Sequence, residues 1–444
     1  MSASAMTAAA VPAPAATTPS PWSLPTRIAF RFCVLYFTTF CLTTQVLPML
    51  LEIPGVDVPD LAFLPPIQPL VAWVAAHLFH AKLPLVTTGS GSGDKTFDWI
   101  LTFCVLVFAL AGTALWSVLD RRRTSYPALH RWFWLLFCFC LASQMFGYGF
   151  DKVIPLQMPF PSLSRLVEPY GNFSPMGVLW YSVGAAPAYE IFAGCAEVLA
   201  GILILVPRTR TLGALLCLAD SAYIFSLNMT YDVPVKLFAF HLILLSLVVL
   251  APDFPRLADL FFLNRPTAPR PASPLFRSRR ANQVATSVLI LFALWLFAAN
   301  LIGARISWYK YGGGAPKPAL YGIWNVDTCI LDGQPHPPLL TDPDRPRSLL
   351  FDRMNSASLV HMNETRDPYT AAFDPTKGLL TLTALHDPAH KSVFILTRPA
   401  PDRLTLDGTL GGRKAHLQLH RVDLQSFLLI SRGFHWVQEY PVNR

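Results

Sequence analysis

Charge is what this chain lacks. Asp, Glu, Lys and Arg make up only 14% of its 444 residues, where a soluble domain carries about 25%. Too few polar groups are present to hydrate a large globular surface. Long apolar runs recur instead, and a bilayer crossing takes ~20 apolar residues, so the chain reads as an integral membrane protein. Motifs that carry chemistry are also missing. There is no Walker loop, no His-Glu-x-x-His, no nucleophile elbow and no Cys-x-x-Cys-His, which leaves no nucleotide, haem, Fe–S or zinc motif. Of the eight cysteines, Cys329 alone lies outside the apolar runs, which excludes a disulfide framework in the polar C-terminal part. Cys138 and Cys140 point to opposite sides of a helix and read as small apolar residues rather than a redox pair. The net charge of +8 does not indicate nucleic acid, because the basic residues cluster in short loops between apolar runs, where they report topology.

What is present falls into a helical part and a β part. Residues 1–25, rich in Ala, Pro, Thr and Ser, are expected to be a disordered tail. About seven spans follow, near 27–51, 97–119, 129–154, 187–206, 211–229, 233–250 and 282–304. Two shorter apolar stretches, 69–81 and 176–184, are expected at the interface, the first lying flat or re-entering. His77 and His80 in or beside the first read as a wet pair rather than metal ligands, since no third ligand is near. The Gly-rich 89–95 stretch is a flexible loop or a tight backbone site. The helical domain is taken as 26–310.

Orientation follows the arginines. Arg121–Arg123 with Arg131, Arg208 with Arg210, and the arginines of 252–281 all fall on one side of a seven-span layout. The positive-inside rule makes that side cytoplasmic, with the N-terminus. The protein is expected in a bacterial cytoplasmic membrane with its C-terminal domain outside.

After a linker at 311–318, short alternating runs appear: 378–385, 391–397, 403–408 and 413–422, separated by Asp-Pro, Asp-Gly and Gly-Gly turns. Such strands predict a small all-β domain over 319–444, a barrel or a sandwich. Its opening Gly322-Ile323-Trp324 resembles the start of small lipocalin-like barrels. The aromatic C-terminus at 432–444, with His435 and Trp436, is expected to close a barrel or dock on the membrane.

Polar groups set into the apolar runs mark the candidate site. Gln144, Tyr148 and Lys152 are each four apart on one helix face, and Glu190 and Glu197 are two turns apart on another. Asp220, Asn228, Tyr231, Lys236 and His241 follow in the next two segments. Such groups face one another or a wet cavity, because a lone ionisable group in lipid costs roughly 2.5–3.5 kcal/mol. Glu197 and Asp220 are expected near the midplane without a basic neighbour; Lys152, Tyr231 and Lys236 lie toward the outer face. Two readings stay open: hydrogen bonds that fix the bundle, or a pocket opening outward.

Residues 130–255 are similar to the DoxX-like membrane proteins. The similarity rests on GYGFDKV at 147–153, the Glu197-x-x-x-Gly201 segment with Arg208 and Arg210 behind it, and NMTYDVPVKLFAFHL at 228–242. It implies a four-helix core. Some such proteins are subunits of quinone-reducing oxidoreductases or partner redox proteins. This leaves a scaffold or binding protein, holding a lipid-like or quinone-like molecule and meeting an extracytoplasmic partner, beside a membrane subunit of a quinone-linked oxidoreductase. Whether the chain is an enzyme stays open.

Overall fold

The computed structural model describes residues 21–56, 58–268 and 274–443. Most of the expected tail, up to residue 20, and Arg270 of the basic linker lie outside these residues. Thirteen helices follow in order: α1 Leu24–Thr43, α2 Val46–Leu50, α3 Ile67–Leu78, α4 Thr96–Leu119, α5 Pro127–Val153, α6 Leu163–Leu166 and α7 Pro175–Gly184. Then come α8 Pro187–Leu205, α9 Arg210–Thr230, α10 Lys236–Leu250, α11 Phe254–Phe261, α12 Arg279–Lys310 and, near the C-terminus, α13 Leu428–Ser431.

Among the described residues, six helical stretches are long and apolar enough to cross a membrane: α4, α5, α8, α9, Lys236–Phe261 and α12. The first expected span, near 27–51, is not among them. The 27–51 stretch breaks after α1, and α1 carries Arg27, Arg31 and four threonines, which pull it out of the strongly apolar class. It nonetheless runs antiparallel to α4. Arg31, only 1% exposed, donates to Ser117 Oγ and to the Asp120 carbonyl, each at 2.9 Å, and to the Tyr126 hydroxyl at 2.7 Å. Each nitrogen of the buried guanidinium thus has a partner, which lets it sit among apolar helices.

The chain divides into two compact units. One comprises Met1–Phe146, Leu199–Ser226 and Pro234–Ala299; the other comprises Gly147–Val198, Leu227–Val233 and Asn300–Arg444. In the first, one end is basic. Trp22 N–H donates to the Thr124 carbonyl, and Arg27 to that of Arg123. At the start of α9, Arg210 donates to the Ile204 carbonyl at the end of α8 and lies over the Trp134 ring. Trp134 in turn donates to the Val249 carbonyl. Guanidiniums on the last carbonyls of a helix suit the negative end of its dipole.

The second unit holds the β domain. Strands β1 Gly322–Leu331, β2 Gln334–Pro335, β3 Pro346–Phe351, β4 Ser356–His361, β5 Arg366–Asp374, β6 Leu379–Ala384, β7 Lys391–Ala400, β8 Arg403–Leu410 and β9 Arg413–Arg421 form one antiparallel meander. Pairing of β1 with β9, from Trp324↔Arg421 to Leu331↔Ala415, closes it into a barrel of eight strands with β2 as an appendage. The barrel is therefore closed by its own strands and not by the aromatic C-terminus, where Trp436 is 91% exposed. Alternation puts Leu380, Leu382, Phe394, Leu404, Leu406 and Leu417 inside. The void left among such side chains is about 10 Å³, about the smallest space a single water needs. At this level the barrel interior is filled by side chains.

Gly322 and Trp324 explain the motif that opens the barrel. A Cβ on Gly322 would lie 2.9 Å from Arg421 Nε, so glycine makes room for that side chain. Trp324 is buried and donates its indole N–H to the Leu320 carbonyl at 2.9 Å. β1 bulges between Val326 and Thr328. The buried Arg345 holds the bulge by donating to the carbonyls of Val326, Asp327 and His336.

The segment after α5 packs on the outer barrel face. Leu163 clusters with Ile323, Leu350 and Val360, which alternate with the inward residues. The Glu168 carboxylate accepts from Arg165 and from Arg366. Asp352 accepts the Leu163 backbone N–H, and burial raises its carboxyl above the ordinary value. The 311–318 linker is tight: Cβ atoms on Gly313 and Gly314 would run into the Trp308 indole at 2.5 and 2.4 Å.

Candidate functional site

The strongest polar cluster lies in the second unit, where α5 crosses α8. Gly149 and Gly194 permit the approach. A Cβ on Gly194 would stand 2.5 Å from the Gly149 carbonyl oxygen and 2.8 Å from Lys152 Cβ. Small residues at helix crossings serve membrane helices in this way. The closeness carries Lys152 to Glu197. The ammonium donates to Glu197 Oε1, with both side chains buried, and lies 5.8 Å from the centre of the Tyr148 ring. The expectation that Glu197 has no basic neighbour is thus corrected: Lys152, one turn beyond Gly149, reaches inward along the crossing.

Glu190, two turns before Glu197, is fully buried. Its Oε1 accepts the Met158 backbone N–H at 2.9 Å, so it ties down the chain just after α5. That strap is held again by Trp180, whose indole donates to the Gln157 carbonyl at 2.8 Å. Gly184 at the end of α7 fits beneath it, since a Cβ there would meet the Pro159 oxygen at 2.4 Å. Among the described residues of this unit, three buried side-chain oxygens have no hydrogen-bond partner: Glu190 Oε2, Glu197 Oε2 and Gln157 Oε1. Buried polar atoms are rarely left so, and a ligand carrying N–H or O–H groups would satisfy them.

Lys236, His241 and Gln144 have contacts of their own within the first unit. In the first unit, Lys236 opens α10; its backbone N–H and that of Leu237 donate to the two carboxylate oxygens of Asp94, each at 2.9 Å. Asp94 therefore caps a helix from a distant loop, which satisfies N–H groups that the helix cannot. Within the Gly-rich 89–95 stretch only Gly93 is tightly placed: its N–H donates to the Pro234 carbonyl at 2.8 Å and a Cβ there would lie 2.9 Å from Val235, whereas Cβ atoms on Gly89 and Gly91 would meet nothing within 4 Å. His241 stacks on Phe40 with ring centres 4.0 Å apart. Its Nδ1 faces the Leu237 carbonyl at 2.7 Å, which assigns the proton there and makes Nε2 the acceptor of the Tyr36 hydroxyl at 2.8 Å. Gln144 is buried and donates to Ser143 Oγ. Asp220 and Tyr231 are half-buried and Asn228 is buried, in or just after α9.

Sequence reasoning missed Tyr36, Asp94 and the Arg31–Tyr126 pair, all of which are held by residues distant in the chain. Among the described residues no group of His, Cys, Asp and Glu is arranged to hold a metal. His77 faces the Trp73 carbonyl and stacks on that indole. On the barrel surface, His416 and His420 pair with Asp407 and Asp327.

Comparison with known proteins gives one informative relative. The uncharacterized protein YwoB of Bacillus subtilis is 30% identical over 139 residues, covering 31% of this chain and 84% of the relative. The chain belongs to the YwoB family. No family model matches it, and no solved structure does. Most of the present chain lies outside the segment shared with YwoB.

Proposed function

We propose that the Lys152–Glu197–Glu190 cluster binds the polar head of a lipid-like or quinone-like molecule within the membrane. The observation that supports this reading is the pair of buried carboxyl oxygens, Glu190 Oε2 and Glu197 Oε2, that no protein donor meets. They accept from hydroxyl groups of a ligand, while the lysine ammonium has N–H donors beyond the one given to Glu197 and meets a carbonyl or an ester. Helix packing alone needs no such surplus of acceptors. The outer domain then serves as the face toward an extracytoplasmic or redox protein partner.

The sidedness belongs to the same reading. Arg27, Arg123 and Arg210 share the basic end of the first unit through the contacts described above. With that end cytoplasmic, the N-terminus lies inside and the barrel outside a bacterial cytoplasmic membrane. Native mass spectrometry of the full chain, released from detergent, tests the binding. The wild type is expected to retain a lipid or quinone adduct that the Lys152→Met, Glu197→Leu double variant loses. Equal retention by a folded double variant overturns the reading.

A further inference from the structure

We propose that a second site, on the outer face of the barrel, binds a single-chain monoanionic amphiphile: a carboxylate on a medium-length apolar chain. A cavity of about 270 Å³ lies there, between Val167 of the segment after α5, the strands β1, β3 and β4, and Phe427. Ile323, Val360 and Val422 complete an apolar wall. Small-molecule sites hold roughly 300–1,000 Å³, so a space at the lower limit takes one chain and not a two-chain lipid.

The polar lining sets the charge. Arg347, Arg366 and Glu364 border the cavity. Arg366 shares the Glu168 carboxylate with Arg165, so that carboxylate serves two guanidiniums. Arg347 pairs with Glu364 at 3.3 Å, with both side chains about half exposed, which makes the pair weak. The lining itself thus carries two guanidiniums, Arg347 and Arg366, and one carboxylate, Glu364, and one positive charge is left for a ligand. Asn325 Oδ1 accepts from Ser348 Oγ at 2.7 Å, which leaves the Asn325 amide N–H groups, on the cavity wall, to donate to a carboxylate. A cation is repelled here, and a neutral alcohol leaves the guanidinium unmatched. The site is independent of the intramembrane cluster.

The test uses the full chain in lipid nanodiscs with a diazirine-bearing decanoate, cross-linked by light and mapped by mass spectrometry. Labels are expected on peptides containing Val167, Ile323 or Phe427, suppressed by excess decanoate and not by decyltrimethylammonium. Arg366→Gln is expected to reduce the saturable label by about tenfold, the worth of one charge-assisted hydrogen bond, and Arg366→Lys to keep most of it. Val422→Trp, which fills the cavity without touching the ion pairs, is expected to abolish it. Labels confined to the membrane helices, equal competition by the cationic probe, or full labelling of a folded Val422→Trp protein would each overturn the proposal.

Discussion

Gly149 and Gly194 face each other so closely that neither can carry a side chain. A Cβ on Gly194 would lie 2.5 Å from the Gly149 oxygen, and one on Gly149 would lie 3.1 Å from the Gly194 oxygen. The contact positions Lys152 beside Glu197, so packing and site chemistry depend on the same two residues.

Gly194→Val is expected to force α5 and α8 apart and to destabilise the protein by about 1–3 kcal/mol, as overpacking usually does. Thermal unfolding in detergent measures this. The same substitution at Gly171, where an added Cβ meets nothing within 4 Å, provides the comparison. An unchanged melting temperature for Gly194→Val would disprove the close crossing.

Arg345 gives a second prediction. It is 2% exposed and donates to three carbonyls around the β1 bulge. Arg345→Met keeps much of the volume and loses those donors. Because a hydrogen bond to a charged group contributes about 1.5–3 kcal/mol, and relaxation recovers part of it, a loss of roughly 2–4 kcal/mol is expected. Hydrogen exchange of β1 and β3 should rise in the full-length variant while that of α4 stays unchanged.

Much of the fold is legible in the sequence because membrane helices and half-buried strands announce themselves by apolar period. The 97–119 and 187–206 runs became α4 and α8 within a residue at each end, and 391–397, 403–408 and 413–422 lie within β7, β8 and β9 or overrun them by one residue. β3 to β5 do not announce themselves, since β3 buries Ser348–Phe351 in succession, β4 buries both Leu359 and Val360, and Pro368 sits inside β5. α1 is less apolar than the other expected spans because it carries Arg31, whose partners, Ser117 and Tyr126, are far off in the chain. The site was half legible. Helical spacing found Lys152, Glu190 and Glu197, but not which of them meet, because that depends on a glycine contact between two helices. Asp94, read only as part of a loop, finds its role at the start of α10, 142 residues away.

The barrel surface is expected to weaken in acid. Asp332, hydrogen-bonded by Arg413, and Asp342, hydrogen-bonded by His336, both titrate below the ordinary carboxylate value. A carboxyl depressed in the folded state contributes stability that is full above its unfolded value and is lost as pH falls through the folded one. Exchange of β1 and β9, corrected for intrinsic rates, should therefore be steady from pH 7 to about 5 and rise below about 4. Asp342→Asn should reduce that rise. Asp352 has the opposite sign: its raised carboxyl disfavours the fold once ionised. Asp352→Asn, which still accepts from Leu163, should tighten the segment after α5 at pH 7.

Sidedness is tested by labelling. Cysteines placed at the exposed Thr124 and Ala389, against the wild-type background, are probed in intact cells with a membrane-impermeant maleimide. Ala389→Cys should label and Thr124→Cys should label only after lysis. The reverse pattern would place the arginine-rich end outside.

The ion pair at the crossing allows one more decision. Lys152→Met strands the Glu197 carboxylate, and Glu197→Leu strands the ammonium. Breaking one side of a buried pair costs about 3–5 kcal/mol, because an uncompensated charge remains, whereas replacing both partners by apolar residues is often neutral or stabilising. Each single variant is therefore expected to melt well below the wild type, and the double variant near it. Such a cycle shows that the pair is not kept for stability. Retention of the native adduct then assigns its role. If the double variant melts like the wild type and no longer carries the adduct, Lys152 and Glu197 are kept for a ligand. If it melts like either single variant, the pair is part of the packing and the binding proposal loses its main support.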